Sequence, residues 1–263
     1  MKNVARQSLN SLMLLTALAV SGACGVSPSQ VREAELKYEV SQKFLASGEM
    51  AQAMANAMES VKINPKNAEA QSYLGLLYMQ NSRFAEAETH FKRAVALDPK
   101  SSETHNNLCA LYSEQGKYET ALTACDKALT NYLYATPERA HHNKGLIYGK
   151  MNQKQKSKES FERALRSNAK FVMSLRALGE QSLSEKKLDE AQKHLSQAAK
   201  VCMDSPAGAW GQECPQVHYQ LALTYLQLKK REDAVASFRE CIRSDEPTST
   251  TRKKCSDNLK LYH

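Results

Sequence analysis

The sequence predicts an all-α fold, a row of helix–turn–helix hairpins stacked one on the next. Three observations carry that expectation. The 263 residues include only 10 Gly and 7 Pro, with 42% hydrophobic and 24% charged residues; such a helix-friendly composition is too poor in turn-formers for an all-β chain. Past the N-terminal region no apolar run reaches the roughly 20 residues that a membrane helix needs, so the apolar residues are expected to be buried between amphipathic helices. Above all, one spaced set of small, aromatic and proline positions recurs along the chain, the written form of a structural repeat.

The chain opens with Lys2 and Arg6, followed by an apolar run from Leu12 to Val20. That run is too short for a bilayer span and has the layout of a secretory signal peptide. Val20-Ser21-Gly22-Ala23-Cys24 then resembles a bacterial lipobox, in which the signal is cut before a cysteine whose sulfur carries diacylglycerol. The expectation is a signal peptide over 1–23, a lipidated linker over 24–33, and Cys24 as the lipidation site. Two or more acyl chains anchor a protein stably where one does not. Gly25, in place of Asp, points by the sorting rule of enteric lipoproteins to the periplasmic face of the outer membrane. Ser21 stands where leucine is commonest, and an ordinary signal peptide cut incidentally at Ala23-Cys24 is the alternative.

From Ala68, the segment AEAQSYLGLLYMQNSRFAEAETHFKRAVALDPK places Leu74, Gly75, Tyr78, Ala87, Phe91, Ala94 and Pro99 at positions 7, 8, 11, 20, 24, 27 and 32 of a 34-residue period. These are the signature positions of a tetratricopeptide repeat. Small Gly75 and Ala87 let two helices approach, large residues fill between them, and Pro99 ends the second helix. The register extends both ways. Residues 34–67 form a degenerate first repeat (Phe44, Ala53, Pro65), 68–101 the second, and 102–137 the third (Leu108, Tyr112, Ala121, Ala128). Residues 138–171 form the fourth (Gly145, Tyr148, Phe161, Ala164), 172–214 the fifth (Leu178, Gly179, Ala191, Leu195, Ala198) and 215–248 the sixth (Leu221, Ala222, Tyr225, Ala234, Phe238). A polar tail over 249–263 reads as a capping helix. The insertions LYATPE and DSPAGAWGQEC shift the register before the fourth and sixth repeats. Six repeats stacked this way predict a tetratricopeptide-repeat superhelix.

Setting Cys24 aside leaves six cysteines, which export would place in an oxidising compartment. Six allow 15 pairings. Spacing and register favour Cys109 with Cys125, at positions 8 and 24 of the third repeat; Cys202 with Cys214, bracketing the second insertion; and Cys241 with Cys255, joining the sixth repeat to the capping helix. Each bridge would close a loop of about 15 residues and contribute roughly 3 kcal/mol in the chain-entropy model. Free buried thiols are the alternative, and no C-x-x-C spacing suggests zinc or redox chemistry.

Catalytic signatures are absent from the sequence: there is no H-E-x-x-H, G-x-S-x-G, P-loop or G-x-G-x-x-G. A non-enzyme without cofactor, metal or small-molecule substrate is therefore expected. His105, His141 and His218 fall at position 4 of their repeats, as packing residues; only the pair His141-His142 would suggest a metal. KMNQKQKSKESFERALRSNAK is basic, within a chain of net charge +8, but lacks interleaved aromatics. It reads as a solvated face, or as attraction to anionic lipid or an acidic partner, rather than as a nucleic-acid site.

Arrays of this kind bind through a concave surface, lined by first-helix positions 2, 5, 9 and 12. Those positions hold Tyr38, Gln42 and Leu45 in the first repeat, and Ser72, Leu76 and Met79 in the second. The third supplies Asn106 and Ala110, the fourth His142 and Leu146, and the sixth Tyr219, Leu223 and Leu226. Apolar stretches at both ends suit an amphipathic helix or strand of a protein partner; packing against neighbouring repeats is the alternative for each residue.

Lipobox, six repeats and capping tail together resemble the pilotin-type lipoproteins of type IV pilus biogenesis (PilF, PilW and Tgl). HNNLCALYSEQGKYETAL is similar to that family's third repeat, with its paired asparagines here Asn106-Asn107. LYATPERAHHNKGLIYGKMNQ is similar to its third-to-fourth linker, here with Tyr134, Pro137 and Glu138 and with Ala135-Thr136 added. The likeness runs from about Val31 to Tyr262. It implies a non-enzymatic protein on the inner leaflet of the outer membrane that helps secretin subunits reach that membrane and multimerise into the pilus pore. The implied partner is the secretin, and the implied membrane contact is the lipid. The three cysteine pairs, the longer loop before the sixth repeat and Ser21 depart from the family. A general envelope scaffold for outer-membrane protein or peptidoglycan machinery is the competing expectation.

Overall fold

The computed structural model describes residues 26–206, 210–211, 213–246 and 248–262; the expected signal peptide and Cys24 lie outside them. Among the described residues there are thirteen α-helices and no strand. In chain order these are α1 (Pro28–Ala46), α2 (Met50–Ile63), α3 (Ala68–Gln80), α4 (Phe84–Leu97), α5 (Ser102–Glu114), α6 (Tyr118–Leu129) and α7 (Pro137–Lys150). Then follow α8 (Lys154–Ser167), α9 (Val172–Ser184), α10 (Leu188–Asp204), α11 (Glu213–Gln227), α12 (Arg231–Arg243) and α13 (Thr250–Leu261). The chain divides into two compact units, one up to Ala70 and one from Gln71 onward.

The first unit is the α1–α2 hairpin. Ser41 Oγ donates to Ala53 O at 2.6 Å and Ser60 Oγ to Ala34 O at 2.7 Å, both buried. Small residues thus bring the helices close enough for side chain to meet backbone. One boundary needs correcting: residues 28–33, read as linker, are the opening turns of α1. Ser27 accepts from Gln30 N–H while the Gln30 side chain accepts from Ser27 N–H, and Pro28 follows the cap. This capping box with proline at the first helical position is a strong start signal.

In the second unit α3–α4, α5–α6, α7–α8, α9–α10 and α11–α12 are consecutive hairpins, with α13 packed on α12 and α11. Each hairpin turns through the same backbone device. Position 15 of every repeat has positive φ: Gly48 (78°), Ser82 (58°), Gly116 (74°), Asn152 (57°), Lys186 (58°) and Lys229 (60°). The following N–H reaches back to the carbonyl of position 11, as in Arg83 N–H to Tyr78 O at 2.9 Å and Gln153 N–H to Tyr148 O at 2.8 Å. A left-handed residue closing such a bond is how helices commonly stop, and it costs lysine about 1–2 kcal/mol relative to a right-handed conformation.

Across each hairpin of the second unit, positions 8 and 24 meet. A Cβ added to Gly75 would stand 2.8 Å from the Phe91 ring, one on Gly145 2.4 Å from Phe161, and one on Gly179 2.5 Å from Leu195. In the third repeat the same two positions are Cys109 and Cys125, covalently joined with Cα atoms 5.1 Å apart. Cys202–Cys214 and Cys241–Cys255 are likewise paired, at Cα separations of 5.6 and 6.3 Å.

Two glycines of α7 give opposite expectations for the same substitution. Alanine in place of a helical glycine gains about 1 kcal/mol of propensity, whereas overpacking costs about 1–3 kcal/mol. Gly145→Ala, pressed against the buried Phe161 ring, should lower stability by about 1 kcal/mol. Gly149→Ala, whose Cβ would sit 3.5 Å from Ser157 Oγ, should raise it by up to about 1 kcal/mol. Urea unfolding of both variants checks the sign.

Candidate protein-binding face

The first helices of the second unit, α3, α5, α7, α9 and α11, lie side by side, and a row of polar contacts joins each to the next. Thr104 Oγ1 and Asn107 Nδ2 donate to Ser72 Oγ at 3.1 and 3.4 Å. Asn143 Nδ2 donates to Asn106 Oδ1 at 2.9 Å, and His142 Nδ1 lies 3.0 Å from Ser174 Oγ. Arg176 binds Glu213 at 2.7 Å and Glu180 at 2.6 Å. Gln216 Nε2 donates to Thr251 Oγ1 of α13 at 2.6 Å. Ser72, Asn106, His142 and Arg176 all occupy position 5 of their repeats.

This row corrects the expected groove at position 5. Ser72, Asn106 and His142 are buried, at 8%, 5% and 4% exposure, with their polar atoms directed to the neighbouring repeat. Desolvating a polar side chain is tolerated when a partner replaces water, and here the partner is always the next first helix. They join repeats and do not face a ligand. Arg176, Glu180 and Glu213 were not singled out from sequence, because the contact closes over 37 residues. Burial works against the Arg176 charge, but its bonds to Glu213 and Glu180 outweigh that and hold its pKa above the ordinary value.

Positions 9 and 12 are more open, apart from buried Ser113 at position 12 of the third repeat. Leu146 is 43% exposed, and Leu76, Met79 and Ala110 are half-buried on the same row of helices. Tyr219, Leu223 and Leu226 instead pack on the C-terminal core of Ala222, Phe238, Cys241 and Cys255, together with Leu259 and Tyr262 at the α13 end. They are half-buried by the chain's own capping helix, which narrows the C-terminal apolar stretch expected from sequence. In the first unit Tyr38 and Leu45 are half-buried and Gln42 is exposed.

The histidines are packing elements, though the most buried of the adjacent pair is His142 and not His141. His142 sits against Phe161 and Phe171, with ring centroids at 5.3 and 5.5 Å. Burial, with Arg176 adding to it, pushes its pKa down to about 4. His105 Nε2 lies 2.9 Å from Pro99 O, and burial lowers the pKa of His218. Among the described residues no three His, Cys, Asp or Glu side chains gather as a metal set. A cavity of about 350 Å³ opens beside Cys202–Cys214, with Trp210, His218, Glu240 and Arg243 in its wall.

Comparison with known proteins agrees with this geometry. Models described as tetratricopeptide repeat match residues 68–101, 90–123, 138–171 and 215–248. The chain carries tetratricopeptide repeats. No curated protein matches its sequence. Among solved structures it is similar to PilW, described as a widely conserved type IV pilus biogenesis factor, with TM-score 0.68 and 19% identity, over 85% of this chain and 98% of that one. It is similar to pilF of Pseudomonas aeruginosa, with TM-score 0.66 and 19% identity, over 88% and 99%. Cut9, from the APC/C hetero-tetramer Cut9–Hcn1, gives TM-score 0.67 and 18% identity over 87% of this chain but 42% of its own. At these identities the shared property is the fold, one typical of protein-binding scaffolds.

Two measurements follow. A folded-state pKa near 4 against about 6.5 unfolded means that His142 is neutral when folded, and that the unfolded chain takes up the proton first. Its contribution is complete above about pH 6.5 and is lost as pH falls toward 4, on the order of 3 kcal/mol. His142→Gln should flatten that part of the stability–pH curve in urea titrations. Secondly, thiol reductants attack only sulfur they can reach. Cys109, Cys125, Cys241 and Cys255 are fully buried while Cys202 and Cys214 are partly exposed. Mild reduction without denaturant should therefore label Cys202 and Cys214 first, as read by mass spectrometry of alkylated peptides.

Proposed function

We propose that this chain is an outer-membrane lipoprotein, anchored through lipid on Cys24, whose repeats bind an outer-membrane secretin and assist its localisation and multimerisation in type IV pilus assembly. The observation that carries this reading is extent: the fold spans 98% of PilW and 99% of pilF, whereas it covers less than half of Cut9 at an equal score. The paired Asn106-Asn107 and the Tyr134, Pro137 and Glu138 linker lend support from sequence. The disulfides suit an exported protein. No helix among the described residues is long and apolar enough to cross a membrane; in this reading the lipid on Cys24 is the anchor.

The role is one of binding, with no covalent step. Polar atoms at position 5 tie each first helix to the next. The apolar side chains of Leu76, Met79 and Leu146 then offer a preset strip to an amphipathic helix or strand from the partner. A strip whose geometry is held by neighbouring repeats binds with little ordering cost.

The test is deletion of the gene, followed by blotting for heat-resistant secretin multimers, with a Cys24→Ser strain alongside. Loss of multimers on deletion, and loss or mislocalisation in Cys24→Ser, supports the reading. Normal multimers in the deletion strain contradict it and favour a general envelope scaffold. On the same assay Leu146→Glu should reduce multimers at least tenfold, since a charge buried in an apolar contact costs more than about 1.4 kcal/mol. Its melting temperature should stay within a few degrees of the parent's, because nearly half of Leu146 is already exposed.

A further inference from the structure

Turn tips are ordinarily polar because nothing covers them, and the turn between α6 and α7 departs from that rule. Asn131 Oδ1 accepts from Leu133 N–H at 3.0 Å, and Asn131 O accepts from Tyr134 N–H at 3.1 Å. The backbone is thus held in a closed turn. At its tip stand Tyr132, 91% exposed, and Leu133, 73% exposed. The next residue is a root: burial pushes the Tyr134 phenol up to about 12, and its Oη donates to Glu103 at 3.4 Å. An ordered, anchored turn therefore presents an aromatic and an aliphatic side chain to solvent.

Unpaired positive charge surrounds the same edge. As second helices of adjacent hairpins, α6 and α8 end on the same side, and Asn168, just past α8, donates to Glu138 in the first turn of α7 at 3.5 Å. Lys127 and Arg163 hold the same position in consecutive repeats, Arg166 lies in the last turn of α8, and Lys170 follows. All four are exposed, and none is in an ion pair among the described residues. Two acids on this side are already engaged, Glu103 by Arg139 at 3.0 Å and Asp126 by Lys144. Half-buried His141 lies within reach of this charge: burial first, then Lys144, Arg163 and Arg166, hold its pKa below the ordinary range, with Asp126 acting the other way.

We infer that this edge docks on an anionic lipid surface, with Tyr132 and Leu133 entering the headgroup boundary and Lys127, Arg163, Arg166 and Lys170 meeting lipid phosphates. A tyrosine beside a leucine, ringed by long cationic side chains, is the chemistry of the membrane interface. The aromatic body and the leucine partition into the boundary, while the amines and guanidinia stay at phosphate level. An acidic protein would satisfy the cations equally well. It would also have to supply a pocket for a protruding two-residue tip, whereas a bilayer surface receives one without a pocket. This inference does not rest on the secretin reading.

The experiment uses the purified full chain carrying Leu133→Trp, with the parent as background, since its single tryptophan is Trp210. Phosphatidylglycerol vesicles should shift the new indole emission to the blue, and brominated acyl chains should quench it. Phosphatidylcholine vesicles should do neither. Adding Lys127→Gln, Arg166→Gln and Lys170→Gln should raise the lipid concentration needed about tenfold or more. If the chain sediments with phosphatidylglycerol vesicles while the emission stays at its aqueous position, the inference is wrong. It is equally wrong if both lipids give the same shift, or if only an acidic envelope protein shields the new indole.

Discussion

The second unit depends on one contact repeated along it, that between positions 8 and 24 of each of its hairpins. Where position 8 is Gly75, Gly145 or Gly179, the ring or branched end of Phe91, Phe161 or Leu195 occupies the space a Cβ would need. In the sixth repeat Ala222 packs with Phe238, and in the third a disulfide joins the same positions. A small residue opposite a large one fixes how closely the two helices approach. That approach sets the spacing of the next hairpin, because each repeat is packed chiefly on its neighbours. The disulfide substitutes a covalent link for a packing contact without changing the layout.

Once hairpin spacing is fixed, the first helices come within hydrogen-bonding reach of one another, and position 5 is where they meet. Ser72, Asn106, His142 and Arg176 differ in chemistry yet each engages the following first helix. This division of labour leaves positions 9 and 12 as the available face. It also explains why the charged cluster Arg176, Glu180 and Glu213 interrupts the apolar strip at the fifth repeat. There the available surface changes from leucine and methionine to a satisfied ion network, so the open apolar side chains lie on the N-terminal hairpins of this unit.

Much of this was legible in the sequence, for a physical reason. The 34-residue period reflects steric demands that recur identically, so Gly75, Phe91 and Pro99 announce themselves by spacing. The cysteine pairs were legible because repeat register placed Cys109 opposite Cys125. Position 5 was not, since whether Asn106 faces a ligand or Asn143 depends on a side chain 37 residues away. The start of α1 is written in Ser27, Pro28 and Gln30, which form a recognisable cap, but the 34-residue register begins at Ala34 and carries no sign of it. The lysines at left-handed position 15 carry no local signal, as only the surrounding hairpin imposes that backbone on them.

The central claim is that the open face of the first helices, and not the outer second helices, holds a protein partner in the envelope. The most direct measurement is in-cell photocrosslinking from a light-activated residue at Leu146, compared with one at exposed Thr120 on α6. The account predicts a secretin adduct from position 146 and none from position 120. Adducts from position 120 alone, or none from either site in cells that assemble normal secretin multimers, would contradict it.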